Sequence, residues 1–465
     1  MPEILIQDPY HEYGTLFLDH IYRQYGYPAV VFYTNPAERR ALEPRHPLPS
    51  QCIAAAYDVK SGDMERFADY LGKRHRVAAV IPFNETSLLN ASLLSARLGL
   101  GWGPPAVIRR FRDKFSFKEH LRAAAPAIRV NASRVVGSIA EVLRARREAP
   151  YGRFILKPND GFGNRDIGYF DSSATGQAIG QYLHRMRQRT IVMEEYVAGT
   201  EYFVNGQIDD VGNIHTIAIF EYVRRPANGR HNMDVETTRV PHGTASFQVI
   251  ARYAEDVMRA TGLTRSPFHL ELKVDDEGPC LIEAAARLGG NGSAVVSGEL
   301  HGPHLDMIAL ASQYYLNTGD RRAPALDWSA YDKIVVRYVH GIAARRECIY
   351  HTQGIAEVEA LPEFCRWVKK PEIGGQVERT VDCLSMPWSL ILKTTSENRA
   401  EAAAREVRRL IRWNCPDAGV FSRRAMMLKV RILRGLSRIR RTLRGRLLRR
   451  FTAETSMWAD AQHKR

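Results

Sequence analysis

Cysteine is sparse in this 465-residue sequence and follows no pattern. The six residues, Cys52, Cys280, Cys348, Cys365, Cys383 and Cys415, form no CxxC pair and no regular spacing. This argues against a disulfide framework and against a thiolate zinc site, and the expected setting is a reducing, cytoplasmic one. No run of about 18 apolar residues occurs, so no membrane-spanning helix is expected. The opening residues, MPEILIQDPYHEYG, begin acidic and lack a long apolar core, so they read as part of the fold and not as a signal peptide. No G-x-G-x-x-G follows the first apolar strand, which removes the usual dinucleotide fingerprint, and no G-x-S-x-G marks a serine nucleophile. Internal repeats are also lacking.

What is present is a long chain with 45% hydrophobic residues and a formal charge of +15. The length suits about three domains. The charge is not spread evenly. Residues 423–465 carry fourteen Lys or Arg against only Glu454 and Asp460, so the preceding 422 residues are close to neutral.

Along the first hundred residues, short apolar strands (EILIQ, AVVFY, IAAAY, VAAVIPF) alternate with helical stretches near 15–26, 62–75 and 85–98. Such alternation predicts a parallel, doubly wound sheet whose C-terminal strand ends face a cleft. GWGPP at 101–105 breaks the pattern. The expected organisation is therefore an α/β domain over 1–108, a central region over 109–325 with a lid over about 125–200, a small α+β unit over 326–420, and a basic tail over 421–465. Within the central region, Arg109 to His120 reads as one basic helix. Ser138 and Glu141 form a capping box, and FILKP, IVMEEYV, YFVNGQI and 213–224 read as strands. Residues 225–240 are polar and irregular and read as a loop, long enough to serve a substrate. Ser246 is the expected cap of a helix ended by Gly262, and a further helix is expected near 303–316. In the α+β unit, strands are expected at 333–342, 354–360 and 389–395, and Ser396 caps a last helix.

The most informative stretch is Pro267 to Gly292. Phe268–Val274 alternates apolar and polar residues, Asp275-Asp276-Glu277-Gly278 is turn chemistry, and Pro279–Ala284 returns as a second arm. Folded about Glu277, this hairpin sets Glu271 opposite Glu283. Two bare carboxylates so placed repel, unless a hard cation such as Mg²⁺ lies between them and takes its other ligands from phosphates and water. The alternative is that one or both glutamates face solvent on an edge strand. Arg287 and the flexible Gly289-Gly290-Asn291-Gly292 follow, suited to close approach to an anion.

Four motifs in order, FILKPNDGFGN, IVMEEYVAGTEYFV, FHLELKV and LIEAAARLGGNG, resemble those of the ATP-grasp superfamily of carboxylate–amine ligases. The branch they most resemble joins amino acids into dipeptides. The resemblance covers roughly residues 1–420 and implies an ATP-grasp fold, ATP as nucleotide, and Mg²⁺, with Mn²⁺ as an alternative ion. It implies that Lys157 and Lys114 contact phosphates and that Gly161, Phe162, Gly163 and Asn164 fold over them. Glu194, Glu195 and Val197 match the adenine hinge, and Glu201 matches the carboxylate that accepts ribose hydroxyls. Glu271 and Glu283 match the metal ligands. Arg287 matches an arginine that contacts the transferred phosphate and the carboxylate substrate, with Gly290 beside it. Glu236 and Arg239 fall where the branch has Glu-x-x-His, so Glu236 would take the substrate ammonium while Arg239 departs from the pattern. Ala285 also departs, since most members carry Asn there.

The resemblance thus implies a ligase of small-molecule carboxylate and amine substrates, with a homodimer as one assembly. Two rivals stand beside it: a non-catalytic nucleotide-binding protein, and a ligase whose amine is a peptide, a polyamine or membrane-linked. The tail sets Leu428, Ile432, Leu436, Ile439, Leu443 and Leu447 along one stripe of a basic amphipathic helix. An anionic membrane surface or a protein partner suits it better than nucleic acid, because no aromatic residues interleave its charges.

Overall fold

The structure is a computed structural model that describes residues 1–10, 12–43, 48–149, 152–161, 163, 165–302, 305–317, 319 and 323–414. The basic 423–450 segment and the expected site residues Phe162 and Asn164 lie outside the described residues. Among the described residues, no helix is long and apolar enough to cross a membrane. The chain divides into two units that interleave along the sequence. The first comprises Met1–Ile4, Ser61–Glu221 and Val240–Trp328, and the second Leu5–Lys60, Tyr222–Arg239 and the chain from Ser329 onward.

The N-terminal alternation is as expected, with strands Glu3–Gln7, Ala29–Tyr33, Ile53–Asp58 and Val77–Ile81 separated by helices. Ala29–Tyr33 and Ile53–Asp58 pair in parallel. Every residue of AVVFY is buried, as a strand covered on both faces requires.

In the first unit, strands Gly278–Ala285, Ser266–Asp275 and Thr200–Ile208 lie side by side in that order. A separate four-stranded antiparallel sheet orders Ser133–Val136, Ile191–Glu195, Arg153–Pro158 and Gly168–Asp171. One face of this sheet sends Phe154, Leu156, Ile191 and Met193 into a core with Val142, Ile179 and Tyr182 from two helices. The period of two along Arg153–Pro158 therefore leaves Lys157 on the opposite face. The capping box at Ser138 and Glu141 forms as expected.

The basic segment 109–120 is two helices, Pro105–Arg112 and Lys114–Ala124. Asp113 interrupts it in extended conformation and caps the second helix by accepting from the Ser116 N–H. Thr244, and not Ser246, caps helix Ala245–Thr261, which Gly262 ends in the left-handed region as expected. Residues 303–316 yield a shorter helix, Met307–Tyr315, started by the Asp306 carboxylate.

The second unit carries Arg230–Arg239, Val335–His340, Ser389–Thr394 and Phe364–Lys369 side by side. The expected loop over 225–240 is in fact strand. Asn228 and Gly229, both at positive φ, make a tight turn, and Arg230–Arg239 runs back from it. An Asn-Gly pair is the chemistry such a turn needs. The expected strand at 354–360 is a short helix, Ile355–Glu359, with Val358 buried: Ile355 and Val358 repeat at a helical spacing, not at two. Ser396 caps the last helix, Glu397–Leu410, as expected.

Candidate active site

The late hairpin places Glu271 directly opposite Glu283, and His269 opposite Ala285. The register slips only beyond Glu271, so these four residues share one face. The Glu283 carboxylate lies 3.1 Å from the Lys114 ammonium, with about 31% of its side chain reaching solvent. Burial works to raise the Glu283 pKa, but Lys114 and then Lys157 outweigh it and hold the group below the usual carboxylate range. Lys114 also donates to the Gly161 carbonyl. It thus links the metal-ligand candidate to the glycine loop, where Gly163 sits at φ +71°.

Behind this lies a buried charge cluster. The Glu194 carboxylate is ion-paired with Lys118 at 2.8 Å and with Lys157 at 2.9 Å, and all three side chains are almost wholly buried. Asn131 completes it, taking a Lys118 hydrogen bond at 2.6 Å and donating to Glu194 at 3.2 Å. Burial opposes ionisation of Glu194, yet the two lysines drive its pKa down to about 2. Burial pushes Lys118 down to about 8; Glu194 resists and Lys157 adds to the fall. Lys157 moves the other way: burial lowers it, but Glu194 and Glu283 raise it further. Two ammonium groups share one carboxylate, so the cluster carries a surplus positive charge. That surplus suits an anionic ligand.

Arg287, 202 residues away in sequence, is held by Glu85 at 2.5 Å, and Glu85 also pairs with Arg112. Burial would raise the Glu85 pKa, but Arg287 and Arg112 lower it. Arg287 Nη1 donates to the Leu288 carbonyl at 2.8 Å. Gly290 leaves open space where a side chain would sit, and its carbonyl accepts from Ser293. Glu85, Lys114, Lys118, His269, Glu283 and Arg287 all line one cavity.

The remaining expected residues distribute as follows. The Glu195 N–H donates to the Ala132 carbonyl, and its own carbonyl accepts from Asn131. The Val197 carbonyl accepts from Lys273 at 3.0 Å. Glu201 is buried and pairs across strands with Lys273. Glu236 and Arg239 lie on Arg230–Arg239 in the second unit. There Glu236 accepts from Arg337 at 2.7 Å and from Arg408, and Arg239 sits between Asp332 and Glu397. Sequence reasoning missed Lys118, Glu85, Asn131 and His269. Lys118 had a signal, since it follows Lys114 by one helical turn. Glu85 had another, as an acid just past the C-terminal end of a parallel-type strand.

A family profile described as an ATP-grasp domain matches residues 153–295. Dapdiamide A synthase from Enterobacter agglomerans is 30% identical over 125 residues, 26% of this chain and 28% of that synthase's length. Among solved structures, the L-amino acid ligase from Bacillus licheniformis superposes with a TM-score of 0.69 at 16% identity, covering 89% of this chain and 98% of that one. N5-carboxyaminoimidazole synthase from Aspergillus clavatus, in complex with ADP and 5-aminoimidazole ribonucleotide, gives a TM-score of 0.63 at 14% identity over 87% and 97%. Residues 153–295 thus match an ATP-grasp domain, and the chain shares its fold with these solved ATP-grasp ligases.

Proposed function

We propose that the protein is an ATP- and Mg²⁺-dependent ligase that activates a carboxylate, of an amino acid in the favoured case, as an acyl phosphate and joins it to an amine. The observation that carries this reading is one wall of acidic donors facing a surplus of buried positive charge: Glu271 and Glu283 on the hairpin, with Lys118 and Lys157 sharing Glu194. The donor set fits a hard divalent ion. Two carboxylates are offered, and among the described residues no third His, Cys, Asp or Glu joins them in a ready-made metal cage. Mg²⁺ suits that arrangement, because it binds through one or two carboxylates and completes its shell with phosphates and water. When bound, the ion would supply charge neutralisation at the terminal phosphates.

The chain's own residues do the rest. Lys157, Lys118 and Lys114 draw the phosphates toward the hairpin. Arg287, held in place by Glu85, presents a guanidinium fork to the carboxylate and to the phosphoryl group in transfer. A carboxylate oxygen attacks the γ-phosphorus, the bond to the β-phosphate oxygen breaks, and ADP departs. The amine nitrogen then attacks the acyl carbon and loses a proton, and inorganic phosphate leaves with one former carboxylate oxygen. No covalent enzyme intermediate is required.

The test is ADP release across a panel of carboxylate and amine pairs, with Glu283→Ala as control. Release that needs both substrates and vanishes in Glu283→Ala supports the ligase. The competing reading, nucleotide binding without turnover, draws on Ala285; nucleotide affinity with no ADP from any pair would favour it.

A further inference from the structure

We propose that His269, oriented by Asn205, is a positioning residue for Glu271 and so for the divalent ion that Glu271 and Glu283 share; this rests on the metal reading above. His269 and Glu271 point to the same face of one strand, and the imidazole Nε2 lies 3.4 Å from Glu271 Oε1. Directly across the hairpin stands Ala285, whose methyl group leaves the space beside Glu283 to the imidazole. The other edge of the ring is fixed from behind. Its Nδ1 lies 2.7 Å from Asn205 Oδ1. The Asn205 amide is anchored by the hydroxyls of Ser293 and Ser297, 3.2 and 3.0 Å away. Ser297 in turn donates its hydroxyl hydrogen to the Ser293 carbonyl at 2.7 Å. The Ser293 hydroxyl can donate as well as accept, so the amide can turn its nitrogen to Nδ1 and leave the ring hydrogen on Nε2, aimed at the Glu271 carboxylate. The relay runs from helix Ser293–Glu299 through Asn205 and His269 to Glu271, and Asn205, Ser293 and Ser297 are buried.

Gly289 is the fourth part of the device. A Cβ there would sit 2.5 Å from Asn205 Oδ1, 2.5 Å from Ser293 Oγ and 2.8 Å from His269 Nδ1. Only a glycine lets the backbone pass over the junction of the relay. Packing of the ring on Phe203, centroids 5.1 Å apart, removes its remaining freedom. Partners that orient metal ligands from behind typically change metal affinity by about 10–100-fold when removed.

The experiment measures Mn²⁺ affinity by electron paramagnetic resonance in the presence of a non-hydrolysable ATP analogue, and fluorescent-nucleotide affinity in EDTA, for folded variants matched by circular dichroism. His269→Asn keeps a polar group near Nδ1 only, whereas His269→Gln reaches the position of Nε2. Mn²⁺ affinity should fall by about 10-fold or more in His269→Asn, fall similarly in Asn205→Leu and Gly289→Ala, and recover in His269→Gln, with metal-free nucleotide affinity unchanged. Equal Mn²⁺ affinity in the Asn and Gln variants, with Glu271→Ala weakened, would overturn the relay and leave the metal reading standing. Unchanged Mn²⁺ affinity in Glu271→Ala and Glu283→Ala would remove the metal reading itself.

Discussion

Replacing Glu194 with Gln tests the buried charge cluster most sharply. Lys118, Lys157 and Glu194 are 1, 4 and 0% exposed, so water screens none of their interactions. The wild-type cluster holds two positive charges against one negative. Glu194→Gln leaves two ammonium groups facing a neutral amide, with Asn131 as a further acceptor for Lys118. Removing one partner of a buried pair costs about 3–5 kcal/mol, mostly because the other charge is left uncompensated. Lys118→Met does the reverse. It leaves Glu194 paired with Lys157 alone and lowers the surplus charge to zero, so its cost should be about 1 kcal/mol or less. Urea unfolding followed by circular dichroism should therefore rank Glu194→Gln well below Lys118→Met. Saturating ATP should recover more stability in Glu194→Gln than in wild type, because the phosphates supply the missing negative charge. A loss below about 1 kcal/mol in Glu194→Gln, or a larger loss in Lys118→Met, would refute the idea that this carboxylate holds two cations in a dry site.

Three further outcomes follow from the same geometry. Lys118, at about 8 when free, should gain protons when phosphates arrive beside it, since a nearby anion favours the charged form. Calorimetry of ATP-analogue binding near pH 8.5 in two buffers of different ionisation enthalpy should show proton uptake, lost in Lys118→Met; buffer-independent heats in wild type would contradict it. Glu85→Gln should lower kcat by roughly 10-fold or more while leaving nucleotide affinity intact, because it loosens Arg287 and not the lysines. Equal activity would show that Arg287 needs no such support. Thr244→Ala should cost about 1 kcal/mol and Ser246→Ala almost nothing, measured by unfolding, because only Thr244 caps its helix.

The facing of Glu271 and Glu283 was expected from a fold about Glu277, but the turn is Asp276-Glu277, and it is a bulge next to Glu271, which skips Ile282, that brings the two glutamates opposite each other. Lys157 was legible from the period of two, since its neighbours Phe154 and Leu156 claim the core face. The adenine-hinge expectation gave Glu194 no charge partner. That its carboxylate joins lysines from a helix and a strand is a tertiary fact with no local signature. The same holds for Glu85, which meets Arg287 across most of the first unit's sequence. The 225–240 stretch misled because its polar composition outweighed the Asn228-Gly229 turn signal in the reading. Ser246 misled because two hydroxyl residues adjoin one helix start, and only backbone geometry selects Thr244.

The most direct measurement of the central proposal uses a substrate carboxylate labelled with ¹⁸O. Once the panel identifies a productive pair, the released inorganic phosphate is analysed by mass spectrometry. Transfer through an acyl phosphate carries one labelled oxygen into phosphate at every turnover, alongside ADP. Unlabelled phosphate, or AMP with pyrophosphate in place of ADP, would contradict the account.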